Sequence, residues 1–306
     1  MINGILNIYK EKGYTSHDVV ARLRGIVGQR KIGHTGTLDP DAEGVLPVCL
    51  GRATKVCDLL TDKDKTYEAV MLLGCVTDTQ DVSGEILEEK DPSALSEEKV
   101  RDCIQGYIGE YEQIPPMYSA IKINGKKLYE LAREGKTVER KARKVHIFDI
   151  RILEMNLPRV RMEVSCSKGT YIRTLCYDIG QSLGCGACME TLLRTRVGRF
   201  TLEDSVKLDE VQESVKTEKF ETVLIPLDAV FTDRRAVTVT ESEKMLAYNG
   251  NALTKKGVFP MLDFEDGEQI RVYDEEQRFI GMFCYDRRKK RLKIEKMFLD
   301  QEDLKK

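Results

Sequence analysis

Between Gly33 and Pro47 the chain reads Gly33-His34-Thr35-Gly36-Thr37-Leu38-Asp39-Pro40-Asp41-Ala42-Glu43-Gly44-Val45-Leu46-Pro47, and this stretch restricts the backbone more than any other. Gly33, Gly36 and Gly44 admit positive φ and close backbone approach, whereas Pro40 locks φ immediately after an acid. Asp39 is therefore predicted to be held in place, within reach of an imidazole and two small hydroxyls. Two roles fit that prediction. The carboxylate takes part in chemistry, or it caps a helix, because Asp followed by Pro is also a favourable N-cap with proline at the first helical position.

Regular elements around this loop are predicted from periodicity. Thr15-Ser16 supplies an N-cap for a helix with apolar residues at Val19, Val20, Leu23, Ile26 and Val27, and Gly28 stops it. Tyr67 to Leu73 reads as a strand, and Ser96 opens a helix carrying Val100, Cys103, Ile104 and Tyr107. Strict alternation in Arg159-Val160-Arg161-Met162-Glu163-Val164-Ser165-Cys166 predicts a half-buried strand with charge on one face. After a turn at Lys168-Gly169, a helix begins near Tyr171. This order does not repeat as βαβ, which favours an α+β architecture with a mixed, largely antiparallel sheet and flanking helices. Beyond Asp233-Arg234-Arg235 the texture changes to one short helix ending at Asn249-Gly250 and strands near 269–273, 278–283 and 291–297. Two domains are expected: residues 1–235, and a small β-rich appendage from 236 to 306.

A chain of 306 residues accommodates such a pair. Nine cysteines in no framework, and an N-terminus without a basic region followed by an apolar one, predict reduced thiols and a cytoplasmic protein. No apolar run approaches the roughly 18 residues that cross a bilayer, so no membrane association is expected. Cys185-Gly186-Ala187-Cys188 is a lone pair, and with three histidines in the chain no second pair stands at ligand spacing; no metal is expected. Gly28-x4-Gly33 would begin a phosphate-binding loop, but His34 stands where its lysine must be.

A net charge of −2 excludes a globally basic nucleic-acid binder and leaves local patches. Lys122 to Lys144 carries nine Lys or Arg against three Glu. It is either an RNA contact or a solvated helix face with internal ion pairs. Arg287-Arg288-Lys289-Lys290-Arg291 is either a second contact or a hairpin turn.

The motifs as a set resemble the TruB family of tRNA pseudouridine synthases. The loop around Asp39 matches the family signature. Lys10 in Ile8-Tyr9-Lys10-Glu11-Lys12-Gly13-Tyr14-Thr15-Ser16 resembles the first motif, with Glu11 in place of the usual proline. Lys65-Thr66-Tyr67 and Thr77-Asp78-Thr79-Gln80-Asp81 resemble the second. Pro115 to Lys122, with Gly125 and Tyr129 to Gly135, resembles the family's RNA-gripping thumb, an insertion near 115–144. Lys168-Gly169-Thr170-Tyr171-Ile172-Arg173-Thr174-Leu175 resembles the third motif, and Leu192 to Gly198 matches too. The tail resembles a PUA-like RNA-binding module.

The resemblance implies the pseudouridine synthase fold and isomerisation of a T-loop uridine of tRNA, position 55, to pseudouridine. It also implies a catalytic Asp39, with Lys10, His34, Tyr67, Tyr171 and Arg173 at the substrate. The reaction breaks the bond from ribose C1′ to uracil N1, turns the base, and rejoins it through C5 with loss of a proton. A carboxylate and a proton acceptor suffice, so no cofactor is expected. Attack at C6, attack at C1′ and support of a glycal-forming elimination all use the same carboxylate. Arg173 is the candidate partner that keeps Asp39 charged. Tyr67 would stack on the everted base, Tyr171 would line the site, and His34 would fill the gap that the base leaves. Outside the motif, the tyrosines read as core packing, His34 as an ordinary loop residue and Lys10 as a surface lysine. The expected partner is the T-arm of tRNA, bound directly by a monomer with no obligate protein partner. A non-catalytic RNA binder on the same basic surface, and a hydrolase pairing Asp39 with Asp41, are the competing classes.

Overall fold

The computed structural model describes residues 1–123 and 125–299. They divide into two compact units: Leu6–Cys49 with Thr54–Val223, and Met1–Ile5 with Leu50–Ala53 and the chain from Leu224 onward.

The larger unit is built on a nine-stranded sheet, whose main path runs Gly4–Lys10, Glu43–Leu50, Ala187–Val197, Lys65–Leu73, Arg159–Cys166, Arg143–Asn156, Gly109–Gln113. Lys65–Leu73 is antiparallel to both its neighbours, while Ala187–Val197 runs parallel to Glu43–Leu50. The sheet is mixed and largely antiparallel, as the absence of a βαβ repeat led one to expect. In the strand Arg159–Cys166, Val160, Met162, Val164 and Cys166 are fully buried. The intervening charges pair on the opposite face, Arg161 with Glu68 at 2.7 Å and Arg159 with Glu190 at 2.9 Å.

Helices Glu97–Gln105 and Ile172–Leu183 cover the apolar face, with Val100, Ile104, Leu175, Cys176 and Ile179 in the core beneath the sheet. Each such aliphatic side chain contributes roughly 1.5–3 kcal/mol relative to exposure, so this layer fixes where the helix Ile172–Leu183 begins. That start carries Arg173. Helix Ser16–Val27 opens with a capping box: Thr15 Oγ1 accepts from Asp18 N at 3.0 Å, and Asp18 Oδ2 accepts from Thr15 N at 2.8 Å. Gly28, in the left-handed region, closes it by donating to Arg24 O at 3.1 Å.

The smaller unit contains a six-stranded sheet in the order Leu253–Thr254, Arg291–Met297, Phe279–Asp286, Gln269–Tyr273, Ala236–Val239, Val258–Phe259, with the helix Glu241–Tyr248 packed on it. The basic run at 287–291 is the hairpin turn between two of these strands, with Asp286 opposite Arg291. No helix among the described residues is long and apolar enough to cross a membrane.

One buried charge organises this unit. Asp274 is fully buried and accepts from Tyr248 Oη at 2.9 Å, Arg278 Nε at 2.7 Å and Arg278 N at 2.8 Å. Burial pushes the Asp274 carboxyl up, but these donors together hold it below the ordinary carboxylate range. A depressed carboxyl contributes stability above its unfolded value, near 3.9, and loses it as pH falls through the folded value. Asp274→Asn is expected to cost about 1–3 kcal/mol at neutral pH, discounted for the exposure of Arg278. Urea unfolding of both proteins at pH 7 and pH 3 checks this: the gap closes on acidification, and a widening gap refutes it.

Candidate active site

The loop after His34 forms no helix. Ala42 N donates to Asp39 O at 3.1 Å in a single turn, and Glu43 enters the sheet directly. Asp39 is thus not a helix cap, which removes the bland reading of the Asp-Pro pair. Leu38 is tied to the capped helix, its N–H donating to Ser16 Oγ at 2.9 Å. Beneath the loop Lys10 is fully buried, and its ammonium donates to the carbonyls of Glu11 at 3.1 Å, Pro40 at 3.1 Å and Ala42 at 2.6 Å. Burial lowers its pKa to about 8, against the upward pull of Glu43 and Asp39. Lys10 lines neither cavity of the site. It shapes the loop from inside, which departs from its expected place at the substrate.

Arg194, which the sequence reading passed over as one residue of a matching run, lies under the other side of the loop. It is 1 % exposed, and its guanidinium donates to Val45 O at 2.7 Å and Gly36 O at 3.3 Å. Its backbone meets Gly44 so closely that a Cβ there would stand 2.2 Å from Arg194 O, and Gly44 has φ +104°.

Asp39 and Arg173 come together. Arg173 Nε stands 3.0 Å from Asp39 Oδ2, and Arg173 Nη1 stands 3.5 Å from Asp81 Oδ2. The same guanidinium donates to Thr79 O and Tyr118 O, each at 2.8 Å. A cation in the first turn of a helix opposes the helix dipole, so its stability there depends on the anions and carbonyls facing it. The Arg173 side chain is 5 % exposed; that of Asp39 is 42 % exposed at the cleft floor. The crowding of protein around Asp39 raises its carboxyl above the ordinary range; Arg173 pulls it down and Asp81 adds to the rise.

Two cavities, about 730 and 590 Å³, meet at this carboxylate, with Thr37, Asp39, Ser119, Ala120, Arg173 and Leu192 in the walls of both. Tyr67 and Tyr171 line the second. Burial raises the Tyr67 phenol to about 12, with the adjacent Arg194 pulling the other way, so it stays protonated at neutral pH. Tyr171 caps the helix of Arg173, its backbone N–H donating to Gln113 Oε1 at 2.7 Å; burial raises its phenol too. The first cavity is also walled by Tyr118 and by Lys127, Tyr129 and Arg133 of the basic segment. Lys127 and Arg133 lie 5.3 and 5.5 Å from the Tyr129 ring. Part of that segment is internally paired, Lys126 and Lys136 with Glu134 at 3.3 and 2.7 Å. His34 lines neither cavity; it is half-buried, and burial lowers its imidazole pKa.

The arrangement offers a carboxylate held by one cation, an open cleft on one side and aromatic walls on the other, which suits an extruded planar base. A family model described as TruB family pseudouridylate synthase, N-terminal domain, matches residues 24–172, and one described as tRNA pseudouridylate synthase B C-terminal domain matches 173–232. The tRNA pseudouridine synthase B of Lachnoclostridium phytofermentans is 53 % identical, over 97 % of this chain and 100 % of that protein. That of Clostridium tetani is 45 % identical, over 92 % and 95 %. Among solved structures, a chain of a Cbf5-Nop10-Gar1 complex superposes with TM-score 0.72 at 27 % identity, over 98 % of this chain and 86 % of that one. An H/ACA RNP bound to a substrate RNA containing 2'-deoxyuridine shares the fold at TM-score 0.71 and 24 % identity, over 98 % and 86 %.

Gly44→Ala is expected to destabilise the larger unit by about 2–4 kcal/mol, since positive φ and a backbone overlap act together. Denaturant unfolding measures it, and a loss below about 0.5 kcal/mol, the range of an ordinary surface change, would refute the packing described.

Proposed function

Because this chain belongs to the TruB family of pseudouridylate synthases, we propose that it isomerises the T-loop uridine of tRNA, position 55, to pseudouridine with Asp39 as the essential carboxylate. The observation that carries this reading is the 3.0 Å contact of Arg173 with Asp39 at the junction of the two cavities. A pure RNA binder has no chemical use for a charge kept there, and a hydrolase pairing Asp39 with Asp41 lacks an equivalent clamp on its second acid.

In the proposed reaction the uridine leaves the T-loop stack and enters the cleft. Unstacking costs a few kcal/mol, and stacking on the Tyr67 ring returns about 1–3 kcal/mol of it. Asp39 acts on the everted nucleoside as the C1′–N1 bond breaks. The base turns, the C1′–C5 bond forms, C5 loses its proton and N1 gains one. Atoms and electrons balance within one nucleoside, so the scheme requires no cofactor. Tyr171 closes the wall opposite the loop. The thumb near 115–144 grips the T-arm, with Lys127, Tyr129 and Arg133 on its cleft side. The segment 236–306 acts as a PUA-like RNA-binding domain and 1–235 as the catalytic domain; residues 300–306 lie outside the described ones. The proposed enzyme works on tRNA directly, as a cytoplasmic monomer.

Asp39→Asn is expected to abolish product while leaving tRNA affinity within a few fold. Tritium release from C5-labelled uridine in tRNA reads this, and turnover at the wild-type rate sinks the assignment. A second outcome follows from the pKa balance. Activity requires the ionised carboxylate, so kcat/KM falls as pH drops through the Asp39 value. Arg173 lowers that value; in Arg173→Ala the acid limb of the pH profile therefore moves up, by about 1–3 pH units. An unmoved limb would show that another group controls it.

A further inference from the structure

The first turn of the helix Ser16–Val27 enters the wall of the Asp39 cavity, where Lys12, Thr15 and His17 are lining residues. Thr15 is consumed by the capping box with Asp18, and Ser16 by Leu38 of the loop. His17 remains: it is exposed to the cavity, and its ring nitrogens make no hydrogen bond to another described residue. Its ring is nonetheless backed. His34 meets it edge to face, with centroids 5.3 Å apart and planes at 78°. His34 is anchored in the short strand Ile32–His34. His17 thus presents its imidazole to the cleft, and two attachments fix it: the Ser16–Leu38 bond to the loop and the ring behind it.

We propose that His17 is an RNA-contacting residue of the cleft, its ring nitrogens hydrogen-bonding a ribose or phosphate oxygen of a nucleotide next to the everted uridine, with the His34 ring backing it. This rests on the reading of the cleft as an RNA site. Lys12 on the same wall supplies charge for that backbone, and the imidazole ring supplies direction. An exposed side chain otherwise loses rotamer freedom when it engages a ligand; the His34 contact reduces that loss in advance.

The test uses the full-length chain in two settings. In an Asp39→Asn background, affinity for a labelled T-arm stem-loop RNA is measured by fluorescence anisotropy at one fixed salt concentration. With Asp39 intact, kcat and KM are measured on whole tRNA. His17→Ala is expected to weaken binding and raise KM by about 3- to 10-fold, the range of one net hydrogen bond, with kcat at saturation within twofold. His17→Gln, which keeps a hydrogen-bonding end, recovers most of the affinity; His17→Phe, which keeps only the ring, does not. Binding by His17→Ala equal to its parent overturns the proposal, as does full affinity in His17→Phe or a defect confined to kcat with a lowered melting temperature. If the chain with Asp39 intact forms no pseudouridine but His17→Ala still loses affinity, the functional reading falls and this inference stands. If pseudouridine forms and the His17 variants are silent, the inference alone falls.

Discussion

One guanidinium, that of Arg173, joins three pieces of chain that are far apart in sequence. It reaches the carboxylate of Asp39 in the glycine-rich loop, Asp81 and the Thr79 carbonyl in the turn after the strand Cys75–Thr77, and the Tyr118 carbonyl just before the basic segment. A nearly buried cation is stable only where its donors are met, and here each segment supplies an acceptor. The converse also holds. Without the guanidinium, Asp39 and Asp81 would face one another at the same cleft, and the loop, the turn and the basic segment would lose their common anchor. Position and charge state of Asp39 therefore depend on the same group.

The loop that carries Asp39 is held from below by two further buried cations. Lys10 gathers the carbonyls of Glu11, Pro40 and Ala42, and Arg194 gathers those of Gly36 and Val45. Backbone carbonyls in an irregular loop lack the partners that a helix or sheet would give them, and leaving them buried and unpaired would cost about 1–3 kcal/mol each. Side chains that reach in with several donors meet that requirement without imposing regular structure. An irregular turn can thus be as fixed as a strand, which is what presenting a single carboxylate at a cavity junction demands. The glycine at position 44 belongs to the same solution, since only a residue without Cβ lets the loop lie against the backbone of Arg194.

How far the sequence disclosed this depended on the range of the interactions. Alternation gave the strand Arg159–Cys166, the Thr15-Ser16 N-cap gave a helix start, and the glycine and proline spacing marked the loop, because each signal is local. The motif resemblance brought Asp39, Arg173, Tyr67 and Tyr171 to one site. Lys10 and Arg194 were illegible in their actual roles. In the strand Ala187–Val197 a period of two would put Arg194 and Arg196 on one face, but a register irregularity between them buries the first and leaves the second exposed. A bulge of this kind has no signature in a run such as Leu192 to Val197. The burial of Lys10 likewise follows from where the loop folds, not from its neighbours in sequence, and the approach of His17 to His34 needs both the helix and the short strand in place.

The partial exposure of the Asp39 side chain then has a physical consequence for binding. In the empty cleft, water solvates the face of the carboxylate that Arg173 does not cover. In the proposed reaction, a nucleoside entering from the open cavity would remove that water, and desolvation would raise the cost of the charge just when it is needed. The Arg173 contact is the term that does not change on entry, since the guanidinium is already buried and its other donors already engaged. The cation therefore gains weight relative to solvent as the cleft fills, because the same separation interacts more strongly in a lower dielectric. Tyr67, protonated and flat, adds contact surface there without adding a competing charge. A site arranged in this way favours the ionised carboxylate most when the base is in place, which is the condition that breaking a glycosidic bond by a carboxylate requires.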